Sequence, residues 1–258
     1  MNIAIITGAS SGMGKEFVVQ ADARYNLDEI WVVARREDRL VALQQECKAK
    51  IVPLALDLTK SESFDVLKQK LESENPNVKL LVNASGFGKF ATFTESNLEA
   101  NVNMCDLNLK ALIVTTQIVL PFIHEGGKII EVGSLSSFEP VPHLSVYAAT
   151  KAGVLSFTRA LNHELKPKKI RALCLCPYWV KTEFFLRADE KEKMQKFDAM
   201  YEADYVVKVA YNAIDKTKKD YVVPGAYAKL LRIVAKFFSH KFMMKVMDKM
   251  FKFDKIEK

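Results

Sequence analysis

Short, uninterrupted apolar runs alternate along the chain with longer stretches in which apolar positions return every three or four residues. The short runs are 3–7 (IAIIT), 29–34 (EIWVVA), 51–56 (IVPLAL), 78–83 (VKLLVN), 128–133 (KIIEVG), 170–175 (IRALCL) and 221–224 (YVVP). Several carry no polar alternation, as expected of strands covered by helices on both faces. The longer stretches, 14–25, 37–48, 60–73, 97–120 and 146–166, read as helices, and Pro121 and Pro167 stand where two of them should stop. Strict strand–helix alternation predicts an α/β fold: one doubly wound domain over 1–225, with a parallel sheet of about seven strands between helices. A C-terminal amphipathic helical extension is expected over 226–258. No repeat or low-complexity linker divides the chain, and 258 residues suit one large domain.

Charge changes this picture in one place. The net charge is +7, but 226–258 alone holds nine basic and three acidic residues, so the body is nearly neutral. Whole-chain arguments for nucleic-acid binding therefore fail. The four cysteines, Cys47, Cys105, Cys174 and Cys176, form no CxxC pair, which suggests neither a zinc site nor a disulfide framework, and no metal is expected. Cys174 and Cys176 alternate along a strand and should be buried on the same side. No basic, apolar leader stands at Met1–Asn2, and no uninterrupted apolar run approaches a membrane span; the expected compartment is the reducing cytosol.

The first strand runs into TGASSGMG, with Gly8, Gly12 and Gly14 before a helix. Glycines let a backbone approach a pyrophosphate, and unpaired N–H groups at a helix start attract it. An ordinary tight turn would use the same residues, and the spacing is not GxGxxG. The place after strand one of an alternating chain favours the nucleotide. After strand two comes VVARRED, where an NAD site typically has a carboxylate. Arg35 and Arg36 there suit a 2′-phosphate, so NADP(H) is expected over NAD(H), with a solvated loop as the alternative.

Tyr147 and Lys151 in SVYAATK lie four apart at a helix start, on one face. A nearby ammonium favours the phenolate of a tyrosine whose ordinary pKa is about 10. Ser134 closes the fifth strand, at the carboxyl edge where parallel sheets bind ligands. With these go TGxxxGxG, Asp57 in LALDLT, NASG at 83–86, Asn108 in DLNLKAL, and Pro177 with Thr182. Taken in chain order, these seven motifs resemble those of the short-chain dehydrogenase/reductase family, from Ile3 to about Pro224, and the resemblance implies a Rossmann-like fold.

The resemblance implies specific roles. Tyr147 is the general acid or base at a carbonyl or alcohol, Ser134 bonds the same oxygen, and Lys151 holds the nicotinamide ribose and lowers the Tyr147 pKa. Asn108 binds a relay water. Ser10, Ser11 and Met13 join the glycines around the pyrophosphate, Asp57 and Leu58 sit at the adenine, Asn83 supports the sheet, Gly86 passes the ribose, and Thr182 bonds the carboxamide after Pro177. Two departures stand out: N-A-S-G in place of N-N-A-G, with Ala84 and Ser85, and Tyr178 where a glycine usually follows the proline.

Tyr178, Trp179 and Phe184, then Phe185, Phe197, Met200 and Tyr201, make the segment after Pro177 aromatic. A lid helix at about 178–202 covering an apolar pocket is expected, with packing on the body as its equal rival. Arg187 and Lys181 are candidate contacts for an acidic substrate. A lipophilic carbonyl or alcohol, such as a hydroxysteroid, bile-acid-like or fatty compound, is favoured. Small polar or acyl carbonyls, or a non-catalytic NADP-binding protein, are the alternatives. In the tail, Leu230, Val234, Phe237, Phe238, Phe242, Val246, Met247 and Met250 oppose Lys229, Arg232, Lys236, Lys245 and Lys249. That pattern suits packing on the domain or a partner subunit, a pocket wall, or a membrane surface. A homodimer or homotetramer is what the family resemblance implies.

Overall fold

The structure, a computed structural model, describes residues 1–184, 188 and 199–251. Seven parallel strands form one sheet: β1 (Asn2–Thr7), β2 (Glu29–Ala34), β3 (Lys50–Ala55), β4 (Asn77–Asn83), β5 (Lys128–Val132), β6 (Arg171–Leu175) and β7 (Tyr221–Val222). Their order is β3-β2-β1-β4-β5-β6-β7. The chain thus moves outward from β1 in one direction, then returns to extend the other edge from β4. At that reversal the connections after β1 and β4 lead to helices on opposite faces of the sheet, which leaves a crevice at the carboxyl ends of the strands.

Side chains alternate through the sheet and divide the core in two. Ala4, Ile6, Ile30, Val32, Leu80 and Val82 pack one face, under α1 (Gly12–Arg24) and α7 (Ala203–Lys216). Ile3, Ile5, Trp31, Val33, Val78 and Leu81 pack the other, under α3 (Ser61–Glu74) and α5 (Ala111–Val119). Both faces being covered explains why the strands read as continuously apolar.

Several boundaries differ from those read in the sequence. The 37–48 stretch is the short α2 (Glu37–Ala42) followed by a single 3-10 turn, Leu43–Gln45. The 97–120 stretch is α4 (Leu98–Cys105), a π turn at Asp106–Lys110, then α5. Among the described residues this run, Leu98–Phe122, is the one helical stretch long and apolar enough to cross a membrane by length and composition. Its Leu112, Thr115, Thr116 and Val119 are buried in the protein itself. Pro121 and Pro167 each sit in a 3-10 turn, where a residue without an N–H ends the α-helical pattern. The expected lid lies mostly outside the described residues, including Phe185, Arg187 and Phe197. Its ends are pinned together: Tyr201 N–H donates to the Trp179 carbonyl (2.9 Å), and Lys181 N–H to the Tyr201 carbonyl (3.0 Å).

The tail folds back. Gly225, at φ +86°, turns the chain out of β7 with the Tyr201 ring 2.2 Å from where a Cβ would stand. Then follow α8 (Ala226–Val234), packed through Ala228 and Leu231 on a cluster that includes Val154 of the Ser145–Glu164 helix, α6, and then α9 (His240–Phe251). The Arg232 guanidinium lies 4.1 Å from the centre of the Phe138 ring, fastening α8 to the body.

Candidate active site

Three loops meet at the crevice. In the first, Gly8 (φ +71°) and Gly12 (φ +54°) take conformations that favour glycine. A Cβ on Gly8 would meet the Ala84 backbone at 2.8 Å; one on Gly12 would meet Thr182 Cγ2 at 2.9 Å. Gly14 lies under the Gly8 carbonyl, 2.0 Å from where its Cβ would be. The loop is thus held against the loops after β4 and β6, with Ser11 capping α1 in an extended conformation and no side-chain bond to the helix. The first-turn N–H groups of α1 are left to face a ligand, and the cradle fits a dinucleotide pyrophosphate.

The second-strand arginines divide. Arg35 is exposed and acts on Asp57 only through its charge. Arg36 turns into the crevice, where its guanidinium donates to Ser10 Oγ (3.0 Å), Ser11 Oγ (2.9 Å) and Glu183 Oε2 (2.8 Å). Arg39 reaches the other Glu183 oxygen at 2.5 Å. Bonds from Arg39 and Arg36 hold the Glu183 carboxyl down at about 2. Glu183 follows Thr182 directly, so a carboxylate from the loop after β6 reaches the arginines that follow β2. Neither Arg39 nor Glu183 is marked by a sequence motif.

Asp57 is fixed by its own turn: it accepts from Thr59 N–H (3.0 Å) and Thr59 Oγ1 (2.8 Å). Burial works to raise its pKa, but those bonds and the Arg35 and Lys60 charges outweigh it and leave it lowered. The Leu58 side chain is buried in the core. Asn83 is a strut, donating to Thr116 Oγ1 (3.0 Å) and Glu131 Oε1 (3.3 Å). Glu131, on β5, has no exposed surface; burial pushes its carboxyl up to about 8, against the bonds from Thr116 and Asn83 and the Lys151 charge.

Ser134, Tyr147 and Lys151 converge on one cavity of about 410 Å³. Ser134 leads a 3-10 turn whose Ser136 N–H donates to its Oγ (3.2 Å), while Ser137 Oγ accepts from Ser134 N–H (3.1 Å). This two-way lock aims the Ser134 hydroxyl. Burial pushes the Tyr147 phenol up to about 12, against a bond with Ser134 that lowers it. Lys151 is buried and donates to the Val132 carbonyl (2.7 Å). Burial pulls its ammonium down to about 8, although Cys174, Cys176 and Glu131 favour the charge. The lowering of the Tyr147 pKa by Lys151 that the resemblance implies is not among the influences on the phenol here, of which desolvation is the largest. At neutral pH the site holds a protonated phenol, an aligned hydroxyl and a largely charged ammonium.

Asn108 is wholly buried in the π turn and committed to structure. It donates to the Phe87 carbonyl (2.9 Å) and Thr150 Oγ1 (3.2 Å), and accepts from Phe87 N–H (3.0 Å). It clamps the Gly86–Phe87 backbone, which passes so close that a Gly86 Cβ would lie 3.0 Å from Asn108 Oδ1 and 3.5 Å from Lys151 Nζ.

Met13, Pro177, Thr182, Tyr178, Trp179 and Phe184 all line the cavity. The Phe184 ring is 5.8 Å from Tyr147, and Tyr178 lies between Trp179 (5.4 Å) and Tyr227 (5.8 Å). The opposite wall is the tail: Leu231, Val234, Phe238, Met243, Val246 and Met247. Leu231 and Met243 fall outside the apolar stripe read from the sequence, while Leu230 and Phe237 from that stripe are exposed. Val141 and Leu144 also line the cavity without any sequence signal.

The family model described as "short chain dehydrogenase" matches residues 2–193. The chain belongs to this family. It is an oxidoreductase of the alcohol–carbonyl type. Within the family, an NADP-dependent 3-hydroxy acid dehydrogenase of Schizosaccharomyces pombe is 30% identical over 204 residues, covering 76% of this chain and 78% of that protein. A very-long-chain 3-oxoacyl-CoA reductase of Pyrenophora tritici-repentis is 30% identical over 69% of this chain and 55% of its own length. Among solved structures, a short-chain dehydrogenase from Sphingobium yanoikuyae in complex with NADPH has TM-score 0.76 at 26% identity, covering 92% of this chain and 93% of that one. This short-chain dehydrogenase thus shares its fold with nucleotide-bound relatives, and its glycine cradle fits the same class of cofactor.

Proposed function

We propose that the protein is an NADPH-dependent reductase of lipophilic ketones or aldehydes, able to run in reverse on the corresponding alcohols. The observation that carries this reading is the cavity itself. Apolar and aromatic side chains line it, and Ser134 and Tyr147 stand in it as hydrogen-bonding groups. Such a cavity favours a molecule whose surface is mostly hydrocarbon and whose carbonyl finds those hydroxyls.

When bound, the nicotinamide supplies or accepts the hydride. The protein's part is to hold the carbonyl and move a proton. Ser134 Oγ bonds the carbonyl oxygen and stabilises negative charge developing there. Tyr147 gives that oxygen its phenolic proton, and a phenol kept protonated by burial is ready to do so. Lys151 supports the emerging phenolate with its ammonium charge. Gly8, Gly12, Gly14, Ser10, Ser11 and Met13 would hold the pyrophosphate region, Asp57 and Leu58 the adenine, and Gly86, Pro177 and Thr182 the nicotinamide half.

Preference for the 2′-phosphate is supported by Arg36, whose guanidinium already gathers two serine hydroxyls and a carboxylate. The relative named as NADP-dependent and the structural neighbour bound to NADPH support it further. Self-association as a dimer or tetramer is supported by α4, where Leu98 and Val102 are exposed.

The deciding experiment follows NADPH oxidation across steroid, long-chain, aromatic and small polar carbonyls, with Tyr147→Phe as the control. The variant should lose about 10²- to 10⁴-fold in kcat while still binding NADPH by fluorescence. Unchanged turnover in the variant, or activity confined to small polar carbonyls, defeats the reading.

A further inference from the structure

The tail's outer side carries a surface that the cavity does not use. We propose that α8 and the turn after it dock on an anionic lipid bilayer, with Leu230, Ile233 and Phe237 entering its interface. These side chains are 56%, 53% and 80% exposed. They follow one another at helical spacing, and the backbone keeps turning past the end of α8, because Phe237 N–H donates to the Val234 carbonyl (2.9 Å). None of the three lines the cavity, whereas their neighbours Leu231, Val234 and Phe238 do. The segment therefore has two apolar sides, one turned to the pocket and the other to solvent. One exposed apolar side chain is ordinary; three at helical spacing on a short helix and the turn after it, among lysines, have the composition of an interfacial segment.

Charge selects the occupant. Lys229, Lys236, Lys241, Lys245 and Lys249 are all exposed, and Asp248 is the sole acid between 226 and 249. A second copy meeting this face through a two-fold axis would set the same lysines against each other. Anionic headgroups offer the opposite charge to the lysines and a hydrocarbon boundary to the three apolar side chains. The cavity's rim belongs to the same segment. Phe238 and Phe242, stacked at 4.9 Å, both line the cavity and remain half exposed. Docking would bring that rim to the acyl boundary. Entry of an apolar substrate from the bilayer rests on the lipophilic reading above; docking itself does not.

The test is sedimentation of the full-length protein with vesicles of phosphatidylcholine alone or with about 30% phosphatidylserine. Two variants accompany it: Leu230→Ser/Ile233→Ser/Phe237→Ser and Lys229→Glu/Lys236→Glu/Lys241→Glu. Wild type should pellet with the anionic vesicles and be released by high salt. Each variant should partition at least about tenfold less, with turnover of a water-soluble carbonyl unchanged. No pelleting of wild type, or pelleting of the serine variant equal to wild type, overturns the proposal. So does a light-scattering mass that halves in the serine variant while wild type ignores lipid, which would make the face a subunit contact. Sedimentation reads no turnover, so its failure leaves the reductase reading standing, and failure of the carbonyl screen leaves docking standing.

Discussion

Arg36 ends on three oxygens at once, two from the glycine loop and one from Glu183. A guanidinium so placed can trade its carboxylate partner for a phosphate with little rearrangement. Arg36→Ala should therefore weaken NADPH binding by about tenfold or more and leave NADH nearly unaffected, as titration of nucleotide fluorescence would read. Glu183→Gln should tighten NADPH severalfold, because the competing charge is gone, and should shift Tm little, since partly exposed ion pairs contribute about 0–1 kcal/mol. The choice between neighbouring arginines was not legible in VVARRED. Both follow the strand, and only the fold turns Arg36 inward and leaves Arg35 outside. Glu183 was hidden for a related reason: its partners are 147 and 144 residues away in sequence.

At the scale of elements, β5 and α5 are tied by a buried carboxyl, with Glu131 accepting from Thr116 at 2.8 Å. Its pKa is raised from 4.5 to about 8 by burial. Below the unfolded value both states carry the proton, and the folded state suffers no loss. As pH rises from there toward the folded value, the unfolded chain sheds its proton first, so stability declines through that window. Glu131→Gln, which keeps the accepting oxygen, should flatten this slope. Its Tm should exceed that of wild type by a few degrees above pH 8 and match it near pH 5, as thermal scans would show. The strands were legible because both of their faces are apolar. The π turn at Asp106–Lys110 was not, since its residues continue the helical pattern of the stretches on either side. In α8, periodicity told which residues are apolar and not what they meet. Val234→Trp should narrow the cavity, raising KM for the bulkiest ketones about tenfold or more while small carbonyls turn over as before.

At the scale of the whole molecule, seven parallel strands and a reversal between β1 and β4 collect distant loops at one edge. Alternation of strand and helix foretold that gathering, and Ser134, Tyr147 and Lys151, singled out in the sequence, all line the cavity there, whereas Arg35 stays outside it. The pairing of the tail with that edge was open, because an amphipathic helix of this kind suits a pocket wall as well as a partner or a membrane. In the fold, the cavity draws its walls from both: Tyr147 and Ser134 stand on one side, Val234 and Met243 on the other.

The family match ends at residue 193, whereas the far wall of the cavity begins at Leu231. One wall of the cavity is thus written in a separate stretch of the gene from Ser134 and Tyr147, the two stretches being joined at the Gly225 corner. A lineage could exchange the final helices and acquire a new diet of molecules without disturbing the proton-transfer apparatus.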